Sequence, residues 1–137
     1  MKQFHLRKTA PSSPIDYHID YESDLNQQQL SAVISPAKRL LLLAGAGTGK
    51  TKTLIYKVSR LIESGVPPEQ IVLLTFTRRA AKEMMERATQ LLDERCQYVQ
   101  GGTFHSFCTQ ILRKYSNHIG YNNEFSIIDS ADSIDLI

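Results

Sequence analysis

Eight residues restrict this chain more than any others: Ala44-Gly45-Ala46-Gly47-Thr48-Gly49-Lys50-Thr51, which follow four consecutive leucines, Leu40 to Leu43. A short, wholly apolar run bounded by a turn has the pattern of a strand buried on both faces of a parallel sheet. Beyond the loop, Leu54, Val58, Leu61 and Ile62 recur at helical spacing until Gly65, Pro67 and Pro68 end the pattern. A strand, a glycine-rich turn and a helix start in that order make a phosphate-binding loop. Glycines let backbone N–H groups turn inward into an anion-binding nest, and the helix adds its positive N-terminal dipole. Lys50 is then placed to reach β- and γ-phosphates, and the Thr51 hydroxyl to join a Mg²⁺ shell. The strict pattern has glycine where Ala44 stands. Such a loop names a ligand class and not a reaction, because many enzyme types share it.

The flanking pattern gives the fold class. A helix is predicted to open at Asn26, with Leu30, Val33 and Ile34 on one face and Pro36 as its stop. Ile71 to Leu74 read as a second buried strand. Ala80, Ala81, Met84, Met85, Ala88, Leu91 and Leu92 then form a helical stripe, with Lys82/Glu86 and Glu83/Arg87 paired outside it. A short strand is expected near Tyr98–Gln100. A helix follows that turns Phe104, Phe107, Cys108, Ile111, Leu112 and Tyr115 inward, and a last strand runs from Phe125 to Ile128. Strands alternating with helices imply an α/β layer with a mostly parallel sheet flanked by helices. Residues 1–24 read as an arm: Pro11 and Pro14 break helix, and Ile15, Tyr17, Ile19 and Tyr21 alternate with polar residues as in a docked extended segment.

Bulk composition adds exclusions. A net charge of +2 is too mild to argue for nucleic acid by itself, so any such case rests on where the basic residues sit. No apolar run approaches the ~20 residues a membrane span needs, and the N-terminus lacks a signal-peptide core. Cys96 and Cys108 have no metal-type spacing and read as reduced, partly buried thiols of a cytoplasmic protein.

Three further segments carry chemistry. In Leu25-Asn26-Gln27-Gln28-Gln29 the spacing of Asn26 and Gln29 fits a capping box. Thr75-Phe76-Thr77-Arg78-Arg79-Ala80-Ala81-Lys82-Glu83-Met84 lies at the C-terminal end of the second strand, where open α/β sheets place ligands. Its two arginines fall in a first helical turn, where the macrodipole disfavours cations, which suits an external phosphate. Phe76 offers a face for base stacking, or else fills the core. Gly101-Gly102-Thr103-Phe104-His105-Ser106 repeats the glycine, hydroxyl and helix-start arrangement, as a backbone phosphate contact or as a plain helix cap.

In this order the four segments resemble the opening motifs of UvrD/Rep/PcrA-type superfamily 1 DNA helicases, over about residues 24–135. The resemblance implies that residues 25–137 are the N-terminal part of a first RecA-like, P-loop ATP-binding domain, truncated near the start of an inserted helical subdomain. It implies ATP and Mg²⁺ as cofactors, with Gln29 at the adenine edge. The nucleotide side then comprises Ala44, Gly45, Ala46, Gly47, Thr48, Gly49, Lys50, Thr51 and Lys52. Lys50 and Thr51 carry catalytic roles, and Thr51 meets the metal through the nucleotide. Thr75, Phe76, Thr77, Arg78, Thr103 and His105 become contacts to single-stranded DNA or a single-stranded tail. Gln27 stands where the family usually has proline, whereas Ala44 is common in it.

The resemblance also implies an Asp-Glu strand after the inserted subdomain, arginines on a second RecA-like domain, and C-terminal helicase domains in cis. Asp93-Glu94 reads as the end of the third helix, and Ser130 to Ile137 as a helix begun and cut off. Asp129 ends a strand-like stretch and keeps open a small self-contained P-loop NTPase. A non-catalytic module binding nucleotide or single-stranded DNA is the other alternative. In a RecA-like sheet the strand beside Leu40–Leu43 would be the absent acidic one, leaving the leucines an unpaired edge.

Overall fold

Asn26 caps the first substantial helix, α2 (Gln27–Ile34), by a reciprocal box. Its side chain accepts from the Gln29 amide at 2.9 Å, and Gln29 Oε1 accepts from the Asn26 amide at 3.2 Å. The chain is seen here as a computed structural model that describes residues 16–122 and 124–127. A one-turn helix, α1 (Tyr21–Asp24), precedes α2. The long helix α3 (Lys50–Glu63) begins at the glycine-rich loop and ends where Gly65 takes a φ of +89°. The Gly65 and Val66 amides bond the Ile62 and Leu61 carbonyls there. After a 3₁₀ turn (Pro68–Gln70) come β1 (Val72–Thr75), α4 (Arg78–Leu91), a second 3₁₀ turn (Glu94–Tyr98), β2 (Gln100–Thr103) and α5 (Phe104–Tyr115). β1 and β2 form a two-stranded parallel sheet with α4 as the connection, so the chain is α/β.

Two compact units emerge. The first comprises Met1–Val72 and Glu83–Gln100, and the second Leu73–Lys82 and Gly101–Ile137. In the first, α2 lies along α3, and Val33 and Ala32 are buried against it with Ile55, Val58 and Ile62 of α3 also inside. Fully removing a valine such as Val33 from water contributes about 1.5–3 kcal/mol. Ile19, Tyr21 and Leu25 share a core cluster with Val33 and Tyr56, so the segment before α2 lies on α3. The Arg60 guanidinium lies 3.3 Å from the centre of the Tyr17 ring and 5.0 Å from that of Tyr21, and Tyr21 donates its hydroxyl to Glu63. Tyr21 also meets the ring of Tyr56 edge-on at 6.0 Å.

Several expectations need correction. Leu40–Leu43, expected as a strand buried on both faces, forms no strand, and Leu41 and Leu43 are 79% and 84% exposed. A strand needs a neighbour for its N–H and C=O groups, and the described residues provide none. The segment 17–21 is not a continuous extended arm, because Asp20 accepts from the Ser23 amide and starts α1. Ile34 and Leu54 are exposed, and the buried face of α3 centres on Ile55, Tyr56 and Ser59. The third helix stops at Leu91: Asp93 caps the 3₁₀ turn by accepting from the Arg95 amide at 2.8 Å, which moves the strand from Tyr98–Gln100 to Gln100–Thr103. Arg95 also pairs with Asp93, holding that carboxyl below its usual range.

The inward stripe of α5 is largely open to solvent, and no residue of that helix is buried. Cys96 is buried, with its thiol pushed up by burial and donating to the Ala88 carbonyl at 3.3 Å, whereas Cys108 is exposed. Residues 125–127 form no strand; Ile128, Asp129 and the proposed closing helix lie outside the described residues, as do Pro11, Pro14 and Ile15. Among the described residues no helix is long and apolar enough to cross a membrane.

Candidate functional site

The glycine-rich loop is shaped by two left-handed positions. Gly47 has a φ of +75° and Gly49 a φ of +87°, values that side-chain-bearing residues adopt only under strain. Gly49 is also where the loop meets α2: a Cβ built there would lie 2.6 Å from Gln29 Nε2. Gln29 donates from that nitrogen to the Thr48 carbonyl at 3.2 Å while its oxygen serves the capping box. One side chain thus joins the start of α2 to the loop. The Thr48 hydroxyl closes the loop by donating to the Gly45 carbonyl at 2.8 Å.

Lys50 stands at the first position of α3 and is exposed. Its ammonium turns back and donates to the Ala44 carbonyl at 2.8 Å and the Gly45 carbonyl at 2.5 Å. Both acceptors belong to the loop's backbone, so an incoming anion would draw the ammonium from neutral partners without breaking an ion pair. Thr51 is exposed beside it, and Ala46 lies at the loop tip. Lys52 points the other way, donating to the Asp24 carbonyl at 2.6 Å with its ammonium 5.4 Å from the Tyr56 ring. Its side chain thus links α3 to the preceding segment.

These groups border a cleft of about 510 Å³ lined by Asn26, Gln28, Gln29, Leu42, Leu43, Ala44, Gly45, Thr48, Lys50 and Thr53. The lining holds one cation and no carboxylate. Amides at left-handed glycines, a lysine and a helix N-terminus form a donor set that suits a polyanion such as a triphosphate. Among the described residues no cluster of histidine, cysteine and carboxylate side chains is placed to hold a metal directly.

Thr53 was missed in the sequence. It is buried, and both its amide and its hydroxyl donate to the Gly49 carbonyl, at 2.9 and 3.1 Å. The available signal was a polar β-branched residue four positions after a glycine at a helix start.

The second unit carries the other segments. Phe76 is 91% exposed, which removes the core reading, and its ring lies 5.4 Å from that of Phe104 at 42°. Thr75 donates its hydroxyl to the Thr77 carbonyl at 2.8 Å, and Thr77 Oγ1 accepts from the Ala80 amide at 3.1 Å. Arg78 and Arg79 are exposed in the first turn of α4, which contains no acid. Thr103 caps α5 with Ser106 in a reciprocal box, so its hydroxyl is already engaged, while His105 is exposed. Phe76, Phe104, Arg78 and His105 thus combine aromatic faces with groups able to meet phosphate, a pairing suited to an unpaired nucleic acid strand.

Comparison with known proteins gives the family. The family model described as UvrD/REP helicase N-terminal domain matches residues 25–137. A probable DNA helicase II homolog of Mycoplasma capricolum is 43% identical over 114 residues, which cover 82% of this chain and 16% of that protein. A probable DNA helicase II homolog of Rickettsia felis is 43% identical over 121 residues, covering 86% of this chain and 18% of that protein. The ATP-dependent DNA helicase PcrA of Bacillus subtilis is 43% identical over 116 residues, covering 84% and 16%. The chain spans less than a fifth of the length of these curated relatives. With the family model matching far more than half of its residues, the chain belongs to the UvrD/REP helicase N-terminal domain family.

Proposed function

We propose that this chain binds ATP with Mg²⁺ in the cleft around Lys50 and contacts single-stranded DNA, as the N-terminal part of an ATP-dependent DNA helicase. The observation that carries the reading is the junction at Gly49, where the loop, the start of α3 and Gln29 meet. In this proposal Lys50 leaves the Ala44 and Gly45 carbonyls for the β- and γ-phosphates, and amides of the loop from Gly45 to Gly49 complete the cradle. Thr51 offers its hydroxyl to the magnesium, which would offset phosphate charge. Gln29 faces the base. Phe76 stacks on a DNA base, and Thr75, Thr77, Arg78, Thr103 and His105 lie along the strand's backbone. The engaged Thr103 hydroxyl leaves its role to the cap's geometry, with His105 and the helix N-terminus facing phosphate.

The test is Mg·ATP binding and hydrolysis by the chain, with and without an oligothymidine strand, beside Lys50→Ala. Binding should fall about a hundredfold in Lys50→Ala, since losing one partner of a charge-assisted contact costs about 2–5 kcal/mol. No turnover is expected in either condition, because hydrolysis in this reading needs carboxylates and arginines from elsewhere in the longer protein. Lys50-dependent turnover would replace the proposal with a self-contained NTPase. Nucleotide affinity indifferent to Lys50 would remove the cleft from the mechanism.

A further inference from the structure

α2 carries Gln29, and its position is held from both ends. At the first end the half-buried Gln29 donates from Nε2 to the Thr48 carbonyl at 3.2 Å, and the residues just before α2 are held to α3 by the burial of Leu25 and by Lys52 at the Asp24 carbonyl. At the far end Lys57, reaching over from α3, donates its ammonium to the Val33 carbonyl and the Ser35 carbonyl, each at 2.8 Å. Those carbonyls belong to the last turn of α2 and the residue after it, where helical acceptors lack intrahelical partners. A cation at a helix C-terminus also complements the macrodipole. Lys57 is half-buried, and burial lowers its pKa, with nearby Arg60 acting in the same direction. Its bonds are charge-assisted and part-buried, so each is stronger than the neutral amide contact of Gln29. Lys57 also lies seven residues after Lys50 on the same helix, a rise of about 10 Å along one rigid rod. The residue facing the phosphates and the residue holding α2 are therefore fixed relative to each other.

Resting on the nucleotide reading above, we infer that Lys57 is a positioning residue for base recognition: it anchors α2 so that Gln29 meets the base of a nucleotide whose phosphates are held at Lys50. It touches no part of the ligand. Val33 stays buried without it, so α2 remains on α3, but the helix loses the anchor that fixes its tilt. A misplacement of about 1 Å is enough to degrade a directional contact. Phosphate binding, set by the loop and the start of α3, does not depend on the anchor.

The experiment compares the chain's affinity for Mg·ATP with that for magnesium tripolyphosphate, which has the phosphates and no base. In Lys57→Met the ATP advantage should fall about tenfold while tripolyphosphate affinity stays within about twofold, the loss matching one hydrogen bond to the base put out of reach. Lys57→Arg, which keeps the cation, should preserve the advantage, and Lys57→Gln should give a smaller loss than Lys57→Met. Combined with Gln29→Ala, Lys57→Met should take nothing further from the advantage, because both act through one contact. A parallel fall in both affinities, an unchanged ATP advantage, or full additivity with Gln29→Ala would each overturn the inference while leaving a Lys50-dependent site intact. Should Lys57→Met fail to fold, the Lys57→Gln and Lys57→Arg pair decides by the same ratio. An unsubstituted chain that binds ATP no better than Lys50→Ala would overturn the inference and the nucleotide reading together.

Discussion

Gly49→Ala is expected to lower Mg·ATP affinity by about tenfold to a hundredfold while leaving the fold intact. Two costs combine. A non-glycine residue at a φ of +87° is strained by about 1–3 kcal/mol, enough at 1.4 kcal/mol per decade to move the loop off its shape. The new Cβ would also stand 2.6 Å from Gln29 Nε2. Because that atom ends a flexible side chain, Gln29 swings aside and the contact is relieved, at the cost of its bond to Thr48. Gly65→Ala is the control. Its φ of +89° imposes the same kind of strain in open space, outside the cleft. Both substitutions should lower the melting temperature by a few degrees, and only Gly49→Ala should weaken ATP. Titration calorimetry with thermal melts on the two variants reads this directly. Equal ATP affinities for Gly49→Ala and Gly65→Ala would mean that the loop's shape is irrelevant to nucleotide binding.

The largest stability effect is expected at Tyr21. The ring is 4% exposed, edge-on to Tyr17 and Tyr56, with Arg60 over its face and Glu63 accepting its hydroxyl. Tyr21→Ala removes all of this at once and opens a cavity where the segment before α2 lies on α3. Aromatic-to-alanine changes in a core cost about 3–5 kcal/mol, a large part of the 5–15 kcal/mol by which domains are stable. The melting temperature should fall by roughly 10 °C or more. Tyr21→Phe keeps the ring and gives up the hydroxyl, for a smaller loss of about 1–2 kcal/mol. Glu63 then keeps the His18 amide, which donates to it at 2.7 Å. Differential scanning calorimetry separates the two, and a Tyr21→Ala melt within a degree of the parent would show that the segment is not part of the cooperative unit.

The same residues explain what could be read from the sequence. Asn26 and Gln29 sit three apart before an apolar face, a local pattern that needs no distant partner, and the capping box forms as expected. The end of α3 at Gly65 is equally local. The glycine-rich loop leading into α3 was legible because its glycines, lysine and helix start are contiguous. Leu40–Leu43 is the opposite case: apolar continuity specifies a strand only when something pairs with it, and pairing is a non-local fact. The exposed stripe of α5 fails for the same reason, since periodicity says which residues share a face and not what covers it. Lys57 was passed over because a lysine in a helical stripe reads as solvated. Its function depends on carbonyls more than twenty residues away, which no spacing rule reveals.

Three of the chain's six tyrosines, Tyr17, Tyr21 and Tyr56, gather where the early segment crosses α3, and there is no tryptophan. That arrangement makes the crossing visible in the ultraviolet. Burial, and next the hydrogen bond to Asp24, push the Tyr56 phenol up to about 12, and burial with Glu63 pushes Tyr21 up as well. A phenol whose folded pKa is raised favours the native state fully below its unfolded value near 10, and that contribution drains away as pH climbs from there toward 12. After a rapid jump to pH 11, tyrosinate absorbance should rise in two phases. The later phase belongs to Tyr21 and Tyr56, which must wait for the segment to lift. The slow phase is then an internal clock of that lifting, kept by chromophores the chain already carries.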